Sequence, residues 1–147
     1  MPTLIQNKRA HFDYEILEKF EAGLELRGFE TKALKNGMGS LVGSRVLIRG
    51  NEAFVVNMEI QPYQPANAPK DYDSRAPRRL LLHKKEIGYL EGKSGEKGLT
   101  LVPISLYTKG NLIKLEFGVG RGKKKSDKRE TIKERETKRK IERTLKL

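Results

Sequence analysis

Leu99-Thr-Leu-Val-Pro-Ile-Ser-Leu-Tyr-Thr-Lys-Gly-Asn-Leu-Ile-Lys-Leu-Glu-Phe117 is the stretch that decides the fold. Leu99, Leu101, Ile104 and Leu106 mark a first apolar run, and Leu112, Ile113, Leu115 and Phe117 mark a second, with Thr108-Lys-Gly-Asn111 between them. Successive side chains of a strand point to opposite faces, so alternating apolar residues on both sides of a Gly-Asn step read as an antiparallel hairpin with one buried face. The same grammar recurs upstream, where apolar runs over residues 42–48 and 53–58 flank Arg49-Gly50-Asn51-Glu52. That is a second tight hairpin.

Working outward, residues 12–20 begin by alternating, with Phe12, Tyr14 and Ile16 on one side and Asp13 and Glu15 on the other, as a half-buried strand would. Glu21-Ala22-Gly23 then reads as a sharp change of direction. Phe29, Ala33 and Leu34 fall at helical spacing and stop at Asn36-Gly37, which predicts a short helix. Residues 80–82 run into a second short helix over 84–90, with Leu82, Ile87 and Leu90 toward the core, and residues 92–98 form a turn-rich connection. Residues 61–77 hold four of the six prolines and form a long exposed loop. Five or six short strands and two short helices predict a mainly β (α+β) fold: a small closed antiparallel β-barrel of the oligonucleotide-binding type with two or three outlying short helices.

Beyond the last strand the composition changes. From Arg121 onward there are thirteen Lys/Arg against five Asp/Glu, so this segment carries +8 of the chain's net +12. Its apolar residues are only Ile132, Ile141, Leu145 and Leu147, too few to offset the entropy of ordering it, and in isolation it is expected to be disordered. Glu134 to Lys138, Glu136 to Lys140 and Glu142 to Lys146 nevertheless stand in the favoured Glu-first i,i+4 order. Ile132 and Ile141, nine apart, fall on opposite helical faces, so no apolar stripe awaits a groove or a membrane. The chain therefore divides into a body, residues 1–120, read as RNA-binding, and a basic tail, residues 121–147, read either as an arm that becomes helical along RNA or as a merely solubilising charged extension.

Composition narrows the function. A sequence pI near 9.9 favours partners rich in phosphate. There is no cysteine, and His11 and His83 are the only histidines, so neither a metal set nor a catalytic base with its nucleophile suggests itself. No cofactor, metal or catalytic residue is assigned, and an enzyme is the minor reading. Gly118, Gly122 and Lys123 resemble part of a phosphate loop, but the glycines are one residue too close and Lys124 replaces the required Ser or Thr. These glycines, with Gly37, Gly39 and Gly43, are assigned to turns. No signal-peptide core and no membrane-spanning run is present, so a cytoplasmic monomer is expected. Tyr63 and Tyr72, in the loop, are candidates for stacking on bases, whereas Tyr14 and Tyr107 suit the core or an OH near the barrel mouth. Lys8, Arg9, Arg78, Arg79, Lys84, Lys85 and Lys114 are scattered cations of the body.

Six motifs carry a resemblance: Asn7-Lys-Arg-Ala10; Phe20-Glu-Ala-Gly23; Gly28-x-Glu30-x-Lys32; Arg79-Leu-Leu-Leu-His-Lys84; Gly98-Leu-Thr-Leu-Val-Pro103 with Leu106-Tyr107; and Gly122-Lys-Lys-x-x-Asp-Lys-Arg129 with Ile132-Lys-Glu-Arg135. In this order and spacing the chain resembles the SmpB family of SsrA-binding proteins over nearly its whole length. The resemblance implies an adaptor that binds the tRNA-like domain of transfer-messenger RNA and delivers it to stalled ribosomes for trans-translation. It implies two partners, transfer-messenger RNA and the ribosome, where small-subunit RNA lines the vacant mRNA channel into which the tail folds as a helix.

Carried over by position, Asn7, Glu21, Leu81 and Lys114 match RNA-binding positions, and the cations Lys8, Arg9 and Lys84 are grouped with them. Gly122, Lys123, Lys124, Asp127, Lys128 and Arg129 match the part of the tail that relatives place in the decoding region. Ser126 departs from the His or Tyr common there, which removes a stacking ring. Glu21 has two readings, an acceptor for RNA groups that also orients a nearby cation, or a turn residue at the Glu-Ala-Gly corner. The alternative to the adaptor is a general single-strand RNA-binding or ribosomal protein with a basic extension.

Overall fold

The computed structural model describes residues 2–64, 66, 68–123, 129, 132, 133, 135–137 and 139 of the 147. The hairpin read first is its longest element. β8 (Leu99–Lys109) and β9 (Leu112–Gly122) pair over their full length around Gly110, whose φ of +62° supplies the left-handed turn residue. Ile113, Leu115, Phe117 and Val119 bury one face of β9, while Lys114 and Glu116 lie half-buried on the other.

Around this pair the chain adds β1 (Thr3–Gln6), β2 (Tyr14–Leu24), β4 (Arg45–Arg49), β5 (Glu52–Val56) and β7 (Arg78–Leu81) in the order β1-β8-β9-β2-β7-β5-β4, every pairing antiparallel. Two short strands, β3 (Gly39–Ser40) and β6 (Glu59–Ile60), make a separate pair. The sheet curls around Leu34, Val55, Met58, Ile60, Leu80, Leu101, Leu106, Leu115 and Phe117, all fully buried. Three helices pack on it: α1 (Ala10–Asp13), α2 (Gly28–Lys35) and α3 (Lys84–Ser94). The result is a mainly β, open, barrel-like fold. The edge strands β1 and β4 do not pair with each other, so the closed barrel expected from sequence is not formed among the described residues. No helix there is long and apolar enough to cross a membrane.

Several local readings are corrected. Glu21-Ala22-Gly23 is not a corner: β2 runs straight through it, pairing with β9 and β7, and the turn comes after Leu24. Phe12 belongs to α1 and not to the strand. Residues 78–81 form a central strand ahead of the helix, with Leu80 buried opposite Ala53 and Leu81 pointing outward, while the expected helix does form, burying Ile87 and Leu90 with Leu82 packed against the core. α3 continues to Ser94, into the segment read as a connection. β9 extends two residues past the expected body–tail boundary, with Arg121 paired to Glu15 and Gly122 to Tyr14.

Gly37 and Gly43 do serve turns, at φ of +73° and +77°. Gly118 and Gly120, by contrast, are mid-strand residues over which the chain packs. A Cβ on Gly118 would stand 2.6 Å from the Glu18 carbonyl oxygen and 2.7 Å from Ile16 Cγ2. Only glycine permits that approach. The space is filled by a second small cluster of Ala10, Val102 and Ile104 with Tyr14 and Ile16, which seats α1 on the outer face of the sheet.

Arg78, counted among the body's scattered cations, is buried. Its Nε and Nη2 donate to Glu30 Oε2 of α2 at 3.0 and 2.7 Å, its Nη1 to the carbonyls of Met58 and Ser74, and Nη2 also to the Tyr72 hydroxyl at 2.9 Å. Tyr72 in turn donates to the Ile60 carbonyl at 2.8 Å, and its ring meets Phe29 edge-on at 5.0 Å. Burial and the Glu30 carboxylate push the Tyr72 hydroxyl pKa up to about 12. Tyr72 is thus a strut that ties the proline-rich loop to α2, and it is not available for stacking on a base.

Candidate nucleic-acid interface

Three of the four RNA-binding positions implied by the resemblance converge. On the outer face, register places Tyr107 of β8 opposite Lys114 of β9, Lys114 opposite Gly23 of β2, and Gly23 opposite Leu81 of β7. Glu21 lies two residues from Gly23 on the same face, because strand periodicity is two. Lacking a side chain, Gly23 forms a flat floor: a Cβ built on it would lie 3.5 Å from Leu81 Cδ1 and 3.7 Å from Lys114 Nζ. Leu81 is 54% exposed and Leu112, at the rim, 61%. The depression also includes Leu24, Leu26, Thr31, Asn111 and Ile113 and measures about 280 Å³. An apolar floor with an ammonium at its edge can hold a base or ribose and its phosphate together.

Glu21 is held from two sides. Its Oε2 accepts from the Tyr107 hydroxyl and its Oε1 from Lys109 Nζ at 3.2 Å. The Tyr107 hydrogen bond, then Lys109 and Lys114, lower the Glu21 carboxyl pKa, so it stays ionised. Burial, followed by the Glu21 hydrogen bond, raises that of Tyr107. Sequence reasoning gave Lys109, Gly23 and Leu112 no binding role, placing them in a hairpin connection, a change of direction and an apolar strand run. The signal was cross-strand register, which a single sequence does not display.

The fourth position, Asn7, lies elsewhere and is buried. Its Nδ2 donates to the Pro103 carbonyl at 2.9 Å and its Oδ1 accepts from the Arg9 N–H, so the amide pins the turn before α1 to the irregular part of β8. Lys8 and Arg9 are exposed beside it. The Arg9 guanidinium binds both Asp13 carboxylate oxygens at 3.1 Å and lies 4.9 Å above the Phe12 ring. Lys84 is exposed at the start of α3, three residues beyond Leu81.

The root of the tail meets this α1 region. Gly122 is the last residue of β9, the Lys123 N–H donates to the Asp13 carbonyl at 2.8 Å, and the Arg135 guanidinium lies 5.8 Å from the Phe12 ring. Partial burial and then Lys19, with smaller contributions from Lys123 and Arg135, lower the His11 pKa against the opposing pull of Glu116. The described residues of the tail from Arg129 onward are helical and exposed. Lys124, Asp127 and Lys128, like Ser126, lie outside the described residues. The positions named from sequence thus fall into two groups, the Glu21, Leu81 and Lys114 face and the α1–tail root, with Lys84 beyond the first.

The family model described as SmpB protein matches residues 4–147. The chain belongs to the SmpB family. Its SmpB relatives include the SsrA-binding proteins of Mesoplasma florum, 51% identical over 91% of this chain and 90% of theirs, and of Thermosipho africanus, 48% identical over 99% and 98%. That of Synechococcus sp. (strain JA-3-3Ab) is 46% identical over 98% and 94%. Among solved structures, one described as "tmRNA-SmpB: a journey to the center of the bacterial ribosome" superposes with a TM-score of 0.70 at 40% identity, covering 90% of this chain and 95% of the other. SmpB membership joins the six sequence motifs to the barrel-like fold observed.

Proposed function

We propose that this chain binds the tRNA-like domain of transfer-messenger RNA through the Glu21, Leu81 and Lys114 face and delivers it to stalled ribosomes for trans-translation. The observation that carries the reading is the placement of these three residues, 60 and 33 positions apart in sequence, around the open floor at Gly23 on three adjacent strands. Family membership selects that RNA from among other polyanions, and the relatives' name, with the solved structure described by tmRNA-SmpB and the bacterial ribosome, supports the two partners. The role is that of a non-enzymatic adaptor of the cytoplasm. Asn7 supports RNA binding indirectly, by fixing the turn that carries Lys8 and Arg9, and the basic tail serves the ribosome, with Lys123 at its anchored root.

The direct test is to affinity-purify the chain from cells and sequence its RNA. Transfer-messenger RNA, enriched far above its share of the lysate and depleted by Leu81→Asp, is the expected result. Recovery of RNA in proportion to abundance favours the general RNA-binding alternative.

A further inference from the structure

Glu21 stands on a face assigned to RNA and carries the charge that RNA repels. Glu116 lies directly opposite it on β9, and two carboxylates facing each other across a ladder disfavour the fold. The Glu21 carboxylate is instead offset within the protein. Both of its oxygens are already engaged by the protein, one by the Tyr107 hydroxyl and one by Lys109 Nζ.

The two partners differ. Tyr107 is 8% exposed, so its ring cannot stack on a base, and its hydroxyl is a fixed post on β8. Lys109 is the last residue of β8, beside the left-handed Gly110, and its side chain is 55% exposed. A free lysine stem at a hairpin tip would sample many rotamers, and each one lost on binding weakens the complex. Pairing to Glu21 takes one of its three donors and leaves two facing outward, on the side where Lys114 also stands.

We propose that Glu21 is a positioning residue and not an RNA contact: through Oε1 it aims the Lys109 ammonium, beside Lys114, at an RNA phosphate, while the Tyr107 hydroxyl locks the carboxylate in place. The inference rests on the proposed function, in that this face is taken to receive the tRNA-like RNA. It adds Lys109 as a phosphate-binding residue and Tyr107 as its support. It also entails that removal of a negative charge weakens binding to a polyanion.

The test is a double-mutant cycle on the full chain. Kd for the tRNA-like domain of transfer-messenger RNA is measured between 50 and 200 mM KCl for the wild type, Lys109→Gln, Glu21→Ala, Glu21→Gln, Tyr107→Phe and the Glu21→Ala/Lys109→Gln pair. Lys109→Gln removes one phosphate contact, so the loss of affinity across that salt range becomes about three-fold smaller than in the wild type. Glu21→Ala weakens binding, the double variant is no weaker than the worse single one, and Glu21→Gln, which keeps an acceptor for Tyr107, recovers part of the loss. Tyr107→Phe weakens binding less than Glu21→Ala and leaves the salt response in place. Wild-type affinity and salt response in Lys109→Gln, or additive losses in the double variant, overturn the proposal. A wild-type chain that binds the tRNA-like domain no better than a single strand of equal length overturns the functional reading itself, before any variant is compared.

Discussion

At the scale of single residues, two glycines of neighbouring strands show how similar letters do opposite work. Gly118 is required by packing, since an added methyl would meet the Glu18 backbone at 2.6 Å, whereas Gly23 has ordinary van der Waals room, its nearest neighbours 3.5 to 3.7 Å away. Gly118→Ala is therefore expected to cost about 1–3 kcal/mol in urea unfolding. Gly23→Ala should fold as well as the wild type yet lose on the order of 1 kcal/mol of RNA affinity, about five-fold, by filling the floor between Leu81 and Lys114. A binding titration beside each unfolding curve separates the two effects. The buried Arg78–Glu30 pair makes a second prediction. Arg78→Met strands the Glu30 carboxylate and should cost about 3–5 kcal/mol, while adding Glu30→Gln returns part of that loss, because an unpaired buried charge is worse than no charge. Equal unfolding midpoints for the single and double variants would contradict that account.

At the scale of elements, legibility followed periodicity. The β8–β9 and β4–β5 hairpins and α2 were readable because their apolar spacing and turn residues agree. β7 was not, since its four residues, Arg-Arg-Leu-Leu, show no alternation of apolar and polar side chains and only pairing with β2 and β5 makes them a strand. The Glu21-Ala22-Gly23 corner was misread for a related reason: Gly23 sits mid-strand between Leu81 and Lys114 of its neighbours, and a glycine's sequence signal does not distinguish that from a turn. Leu81 and Lys114 could be named from the family resemblance, but Lys109 could not, because its meaning comes from a partner 88 residues away. β9 sets the usable boundary of the body. Truncation after Lys123 should leave stability near that of the full chain. Truncation after Gly120 removes the strand end and the Lys123–Asp13 hydrogen bond, at a cost on the order of 1–2 kcal/mol. Identical unfolding curves for the two would argue that residues 121–123 do not hold the body.

At the scale of the whole molecule, charge and shape are divided between two regions. In the proposed function the body carries the sheet face that recognises one RNA, and the tail carries +8 of the net +12. Charge of that density attracts any phosphate backbone and supplies affinity without selectivity, whereas a floor flanked by fixed side chains supplies selectivity. The two contributions therefore separate in a ratio. The measurement that tests this division most directly is the ratio of Kd for an arbitrary single-stranded RNA to Kd for the tRNA-like domain of transfer-messenger RNA, taken at 150 mM KCl in the full chain and in the chain ending at Lys123. The account predicts that both affinities fall on truncation while their ratio is kept. A ratio that drops to one once the tail is gone would contradict it, and would place recognition in the tail.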